Sequence, residues 1–411
     1  MLYQTLPPQA GAMQHPALVK QRVQSIDLLR GLVMILMALD HTRDFTHVGA
    51  LAGQNPLELS TTSTWLFFTR WITHICAPSF VFLSGTSAFF MSQRKTKQEL
   101  SIFLVTRGLW LIFLELTILA FAWGGVIAYN LLVLNVIWVL GLCMILLAPL
   151  IYLPKKVLFV IGMLLVFGHN FLDRYNYVPN NAAGFLWSVL HEPHSFDLGG
   201  GHTIRVVYAA LPWLGIMIMG YLFGLVYQRE GDNASRKKIL ILLGTGCILL
   251  FIVLRFAMLL WSGKLNGAAH QESAFGATTS SILLFIKTNK YPPSVLFTLM
   301  TIGPALLFLA FAENIRGRFA DAITVFGRVP LFYYILHLFL IHGIAWIIFA
   351  AQGYSIRNVD VRMPQTVPDG VGVSLGWMYA IWLLVIFLLY WPCKWYNEYK
   401  STHKDWWLSY L

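Results

Sequence analysis

The chain has 411 residues, of which 57% are hydrophobic and only 11% charged, with a mean hydropathy of +0.66. A soluble globular protein carries about 25% charged residues, so the composition excludes one and leaves a polytopic membrane protein embedded in a lipid bilayer. The net charge of +11 sits in short clusters between apolar spans, which assigns it to membrane orientation and not to nucleic-acid binding.

Spans of about twenty apolar residues are predicted near 25–46, 64–91, 102–122, 126–150, 157–172, 205–227, 238–261, 294–313, 322–350 and 375–392. The expected fold class is therefore all-α, a bundle of about ten transmembrane helices. Residues 1–22 read as a polar cytoplasmic tail, 23–393 as a single membrane domain and 394–411 as a second cytoplasmic tail, with no cleavable signal peptide. Every second connection is basic: Lys20 and Arg22, then Arg94, Lys95 and Lys97, then Lys155 and Lys156, then Arg236 to Lys238, then Arg316 and Arg318. The positive-inside rule then puts both termini in the cytoplasm. Three long loops, 47–63, 173–204 and 262–293, fall on the opposite side, where long loops carry function more often than short turns. The four cysteines lie in or beside apolar spans without pairing spacing, so neither a disulfide framework nor a metal site is expected.

The first span carries ionisable groups at both ends, in Ser25-Ile26-Asp27-Leu28-Leu29-Arg30-Gly31 and Asp40-His41-Thr42-Arg43-Asp44. At 100° per residue, Asp27, Arg30, Met34, Met37, His41 and Asp44 share one face, and Arg30 and His41 are about 16 Å apart along the axis. Such groups inside a membrane face a bundle interior or a water-filled cavity, so this face reads as one wall of an internal site. His41 can take and return a proton near neutral pH, with Asp40 or Asp44 as partners for the imidazole; a polar network at a helix end is the plainer alternative.

In the second span Arg70 and His74 share a face at about the depth of His41, and Pro78 predicts a kink. The run Ser84-Gly85-Thr86-Ser87-Ala88 reads as a close helix contact. In the ninth span Tyr333 and His337 share a face near mid-membrane, and Arg328 lies near the cytoplasmic end, as a membrane anchor or as a partner for an anion. The familiar nucleotide-binding, zinc and serine-hydrolase signatures are missing from the sequence.

Ser25-Ile26-Asp27-x-x-Arg30-Gly31, the Met-rich helix to Asp40-His41, and Pro78-x-Phe80-Val81-Phe82-Leu83-x-Gly85-Thr86-Ser87 together resemble the catalytic region of the heparan-α-glucosaminide N-acetyltransferase family. Phe326-Gly327-Arg328-Val329-Pro330-Leu331-Phe332-Tyr333-Tyr334-x-x-His337 is similar to a late helix of its bacterial members, and the Arg30–His41 spacing resembles a motif of the wider transmembrane acyltransferases. The resemblance implies acetyl transfer from cytoplasmic acetyl-CoA to an amino sugar or glycan across a bacterial inner membrane, with no metal. The phosphates of such a co-substrate need cations at the cytoplasmic mouth, for which Arg30 and Arg328 are candidates with Arg94 and Lys95 behind them, and Asp27 and Tyr333 are placed with them. For that reaction His41 is expected to act as general base or to carry the acetyl group transiently, with Asp40 or Asp44 holding its imidazole, Arg70 or His74 stabilising the oxyanion, and His337 as a further site residue. In the lysosomal enzyme the catalytic histidine falls in the first outer loop, where this chain has only His47, so the role passes to His41. A proton-coupled transporter is the rival reading of the same buried charges, a structural scaffold is a third, and a homodimer is left open.

Overall fold

The computed structural model describes residues 23–125, 130–175, 177–228, 233–261, 277–355 and 359–409. Among them, eight helices are long and apolar enough to cross a membrane: α2 Thr64–Ser92, α3 Lys97–Gly124, α5 Lys155–Arg174, α6 Ala210–Tyr227, α7 Asn233–Trp261, α8 Val295–Ala312, α10 Pro330–Ala351 and α11 Leu375–Thr402. Two others complete the bundle, α4 Val136–Leu150, which is shorter, and α1 Gln24–Thr46, which carries five charged residues. The all-α membrane architecture expected from the composition is thus the architecture found. The predicted tail 1–22 lies outside the described residues.

The differences lie at helix ends, and each has a local cause. The predicted span 322–350 is two helices, α9 Arg318–Arg328 and α10, broken at Val329. Pro330 has no N–H to continue the ladder and pushes the residue before it out of the helical region; Val329 has φ −129° and ψ 51°. The predicted span 126–150 is helical only from Val136. Before it lies a strand, β1 Leu131–Leu134, and the span's first four residues, 126–129, are outside the described set. The span predicted from 205 begins its helix at Ala210. The long loop 173–204 holds a short helix, Ala182–Leu190, and two strands, β2 Ser195–Gly199 and β3 His202–Val206. β1 pairs in parallel with β3 and β2 pairs antiparallel with it, so three chain segments close one small sheet at the end of the bundle near His41. Helix α11 runs to Thr402, past the predicted end at 392.

α1 sits at the centre, against α2, α8, α9, α10 and α11. Two glycine contacts bring its neighbours in. A Cβ on Gly31 would lie 1.9 Å from the Ile323 carbonyl oxygen, and one on Gly327 would lie 1.9 Å from that of Asp27. α1 and α9 therefore cross backbone to backbone, antiparallel, at a distance only glycine permits. Gly85 on Met217 and Gly220 on Phe82 do the same for α2 and α6, with the Thr86 hydroxyl donating to the Gly220 carbonyl at 2.9 Å. The run of small residues in α2 is thus a helix contact on one side, as its composition predicts.

One buried carboxylate is structural. α4 begins inside the bundle, where its first N–H groups have no water to bond. Asn135 provides no side-chain cap. Glu115, in a wide π-turn of α3, accepts instead from the backbone N–H of Ile137 at 3.1 Å and of Trp138 at 3.2 Å. This is an N-cap supplied by a different helix.

Candidate active site

A cavity of about 300 Å³ runs along α1, and Arg30, Met34, Met37, Asp40 and His41 form one wall of it. Four of these five are the residues whose spacing predicts a shared face. The opposite wall comes from α2, α3, α4 and α10 and is largely apolar, with Ser84 and Ser87 from the small-residue run. Arg30 and Arg107 mark one end. Asp40, His41, Tyr208 and Lys290 mark the other.

At the Arg30 end, Asp27 is 2% exposed and lies between two guanidinium groups, 3.4 Å from Arg30 and 3.7 Å from Arg328. Arg30 also donates to the Leu83 carbonyl at 3.3 Å and to the Ser87 hydroxyl. The α1–α9 glycine crossing is what brings Arg328 here. Asp27 thus holds two cations beside the cavity mouth and does not itself line it.

At the other end the two histidines meet. His41 Nδ1 lies 2.7 Å from His337 Nε2, and the rings stack with 4.9 Å between centroids. His337 Nδ1 lies 3.1 Å from the Tyr333 carbonyl oxygen, one turn earlier on α10. A carbonyl only accepts, so neutral His337 carries its proton on Nδ1 and offers the Nε2 lone pair. His41 must then donate from Nδ1, which leaves His41 Nε2 as a bare acceptor. No described residue bonds that nitrogen, and His41 lines the cavity. Trp123 packs edge-on against His41 at 4.9 Å and fixes the ring plane.

The carboxylates do not hold the imidazole. Asp40 pairs with Arg43 at 2.9 Å and with Arg70, and Asp44 pairs with Arg43 at 2.5 Å. His74 stands away from the cavity. It is 1% exposed, packs edge-on against Phe297 at 5.3 Å, and neither ring nitrogen has a partner among the described residues. The 3₁₀ turn Thr73–Ile75, one turn ahead of Pro78, winds at about 120° per residue, so the regular face shared by Arg70 and His74 does not survive there. Tyr333 is fully buried; it stacks on His337 at 5.3 Å and supplies that residue's carbonyl partner. His47 ends α1 and pairs with Val373 rather than facing the cavity.

Sequence reasoning missed Lys290, Tyr208, Arg107 and Glu115. Glu115 was detectable as a lone carboxylate in an apolar span, and Lys290 as a cation in a loop on the side that should lack them. Tyr208 and Arg107 carry no such signal.

None of the curated proteins matches the chain. A family model described as heparan-alpha-glucosaminide N-acetyltransferase, catalytic, matches residues 22–263, from the start of α1 to just beyond α7. The match takes in Asp27, Arg30, Asp40, His41, Arg70 and the cavity wall of α2, while His337 and Arg328 lie beyond it and are brought in by the fold. With more than half its length under that model, and its bundle built around the matched first helix, the chain belongs to the heparan-α-glucosaminide N-acetyltransferase catalytic family and is a membrane acetyltransferase.

Proposed function

We propose that the chain moves an acetyl group from cytoplasmic acetyl-CoA to an amine or hydroxyl of an amino sugar or glycan on the far side of a bacterial inner membrane. The observation that carries this reading is the single cavity wall with Arg30 at one end and the open Nε2 of His41 at the other. Basic loops follow α2, α4, α6 and α8 at the Arg30 end, which favours that end as cytoplasmic. CoA carries phosphates, and planar guanidinium groups suit them; Arg30, Arg107 and Arg328 would take the head of the co-substrate. A space of about 300 Å³ suits the pantetheine arm rather than the whole molecule. The arm then lies along Met34 and Met37 and presents the thioester near His41, about 16 Å from Arg30.

In this reading His41 Nε2 takes the proton from the acceptor amine or hydroxyl as it attacks the thioester carbonyl. The tetrahedral intermediate collapses, and the same proton passes to the CoA sulfur. His337 holds His41 in the tautomer that leaves Nε2 bare. The Asp40–Arg70–Arg43–Asp44 network keeps the end of α1 rigid around it.

The test uses purified protein in lipid nanodiscs with radiolabelled acetyl-CoA, with and without a glucosamine-type acceptor. Wild type is expected to bind acetyl-CoA and release CoA when the acceptor is present. Folded His41→Ala is expected to bind it with the same affinity and lose turnover by about 10²–10⁴-fold. A ternary-complex rate law is expected; ping-pong kinetics would mean that His41 carries the acetyl group itself. Proton-coupled flux in liposomes without any CoA dependence would replace this reading with a transporter.

A further inference from the structure

Acyl transfer creates a negative charge on the thioester carbonyl oxygen, and a site enclosed by apolar walls needs a positive group or a donor pair to meet it. Of the cations near His41, two are already committed. Arg70 is bonded to Asp40, and Arg43 is held by Asp40 and Asp44. His74 is off the cavity. Lys290 differs from all three. It lines the cavity with His41 and Asp40, is only 8% exposed, and has no carboxylate within 4 Å among the described residues. Its ammonium instead lies over two aromatic faces, 5.1 Å from the Tyr291 centroid and 5.7 Å from that of Tyr208. Tyr208 and Tyr291 meet through their hydroxyls at 3.4 Å and form a shelf under the lysine.

Charge counting gives the same result. Among the described residues around His41, two carboxylates, Asp40 and Asp44, stand with three cations, Arg43, Arg70 and Lys290. One positive charge is left over in an enclosed space, where an uncompensated charge is costly unless something anionic comes to it. The Tyr291 hydroxyl reports the excess. Burial pushes it up, yet the Lys290 ammonium, the Arg70 guanidinium and hydrogen bonds with Tyr208 and Lys290 together hold it below its ordinary value.

We propose that Lys290 is a catalytic residue whose ammonium stabilises the tetrahedral oxyanion of acetyl transfer. This inference rests on the acetyl-CoA reading above. The acceptor nitrogen or oxygen forms a bond to the carbonyl carbon, its proton goes to His41 Nε2, and the carbonyl π pair moves onto oxygen beside the Lys290 ammonium. When the oxyanion re-forms the carbonyl, the C–S bond breaks and CoA leaves with the proton from His41. Lys290 keeps its own protons throughout and acts by charge.

The experiment compares wild type, Lys290→Gln and Lys290→Arg in nanodiscs, with acetyl-CoA and glucosamine varied independently and acetyl-CoA binding measured at equilibrium. Lys290→Gln is expected to lose about 10²–10³-fold in kcat, with acetyl-CoA affinity and acceptor KM within about threefold of wild type. Lys290→Arg keeps the charge and is expected to retain at least about a tenth of kcat. Lys290→Met, uncharged and of similar length, replaces the Gln variant if that protein does not fold. A kcat within threefold of wild type in the uncharged variant, a loss confined to acceptor KM, or an equal loss in Lys290→Arg would each overturn the role. Failure of wild type itself to turn over acetyl-CoA would instead remove the reading on which the inference rests.

Discussion

A neutral imidazole has one nitrogen that donates and one that accepts, and the Tyr333 carbonyl settles which is which for two histidines in a row. His337 is thus a positioning residue. His337→Phe keeps the ring volume and removes the acceptor, leaving His41 free to carry its proton on either nitrogen. The expected result is a loss of about ten- to hundredfold in kcat with acetyl-CoA affinity unchanged. Nitrogen NMR of labelled histidine should show a single Nδ1–H tautomer for His41 in wild type and a mixture in the variant. His337→Gln, whose amide oxygen can accept, should recover part of both. Helical periodicity makes Arg30, Met34, Met37 and His41 legible as one wall, because a straight apolar helix is well described by its angle per residue. The same argument puts Asp44 on that wall, but the structure turns its carboxylate to Arg43. Asp40, at 100° from His41, lines the cavity after all. Partner choice among nearby charges depends on residues far away in sequence, here Arg70, and one helix's periodicity contains no trace of them.

Helix ends were the least legible part of the fold, although the signals were present. Val329-Pro330 marks the break between α9 and α10, but an apolar stretch continuing on both sides reads as one span. That break matters because it frees α9 to lie across α1 with Gly327 on Asp27 and Gly31 on Ile323. The pair of glycines is what lets Arg328 reach Asp27. Gly327→Ala would set a methyl against a backbone oxygen, and neither helix can yield without moving the arginine. The expected cost is about 1–3 kcal/mol, read as a lower melting temperature. Weaker acetyl-CoA binding should accompany it, with kcat for the bound co-substrate close to wild type. A variant that loses stability while binding acetyl-CoA as wild type does would show that the crossing does not place Arg328 for the co-substrate.

The whole molecule has two unlike ends joined by one cavity, with arginines at one and the histidine pair at the other. If the donor enters at the basic end, acetyl-CoA consumption depends on which face is exposed. Inside-out vesicles should turn over added acetyl-CoA, and sealed right-side-out vesicles should do so only after permeabilisation. Equal rates in both would refute the assignment of sides. The family-matched stretch stops soon after α7, yet His337, Arg328 and Lys290 all come from beyond it. Glu115 adds a constraint of time. The first N–H groups of α4 are bonded by a side chain of α3, and unbonded amides in hydrocarbon cost several kcal/mol each. α4 therefore cannot settle in the bilayer by itself; it has to enter beside α3, as a hairpin closed by Gly108 against Gly141. The strand ahead of it waits longer still, since β1 finds its partner only when β3 has been synthesised. During biogenesis the sheet therefore closes only after the α3–α4 hairpin has formed, and a chain stalled before residue 202 would carry every residue of that hairpin without the sheet that closes over it.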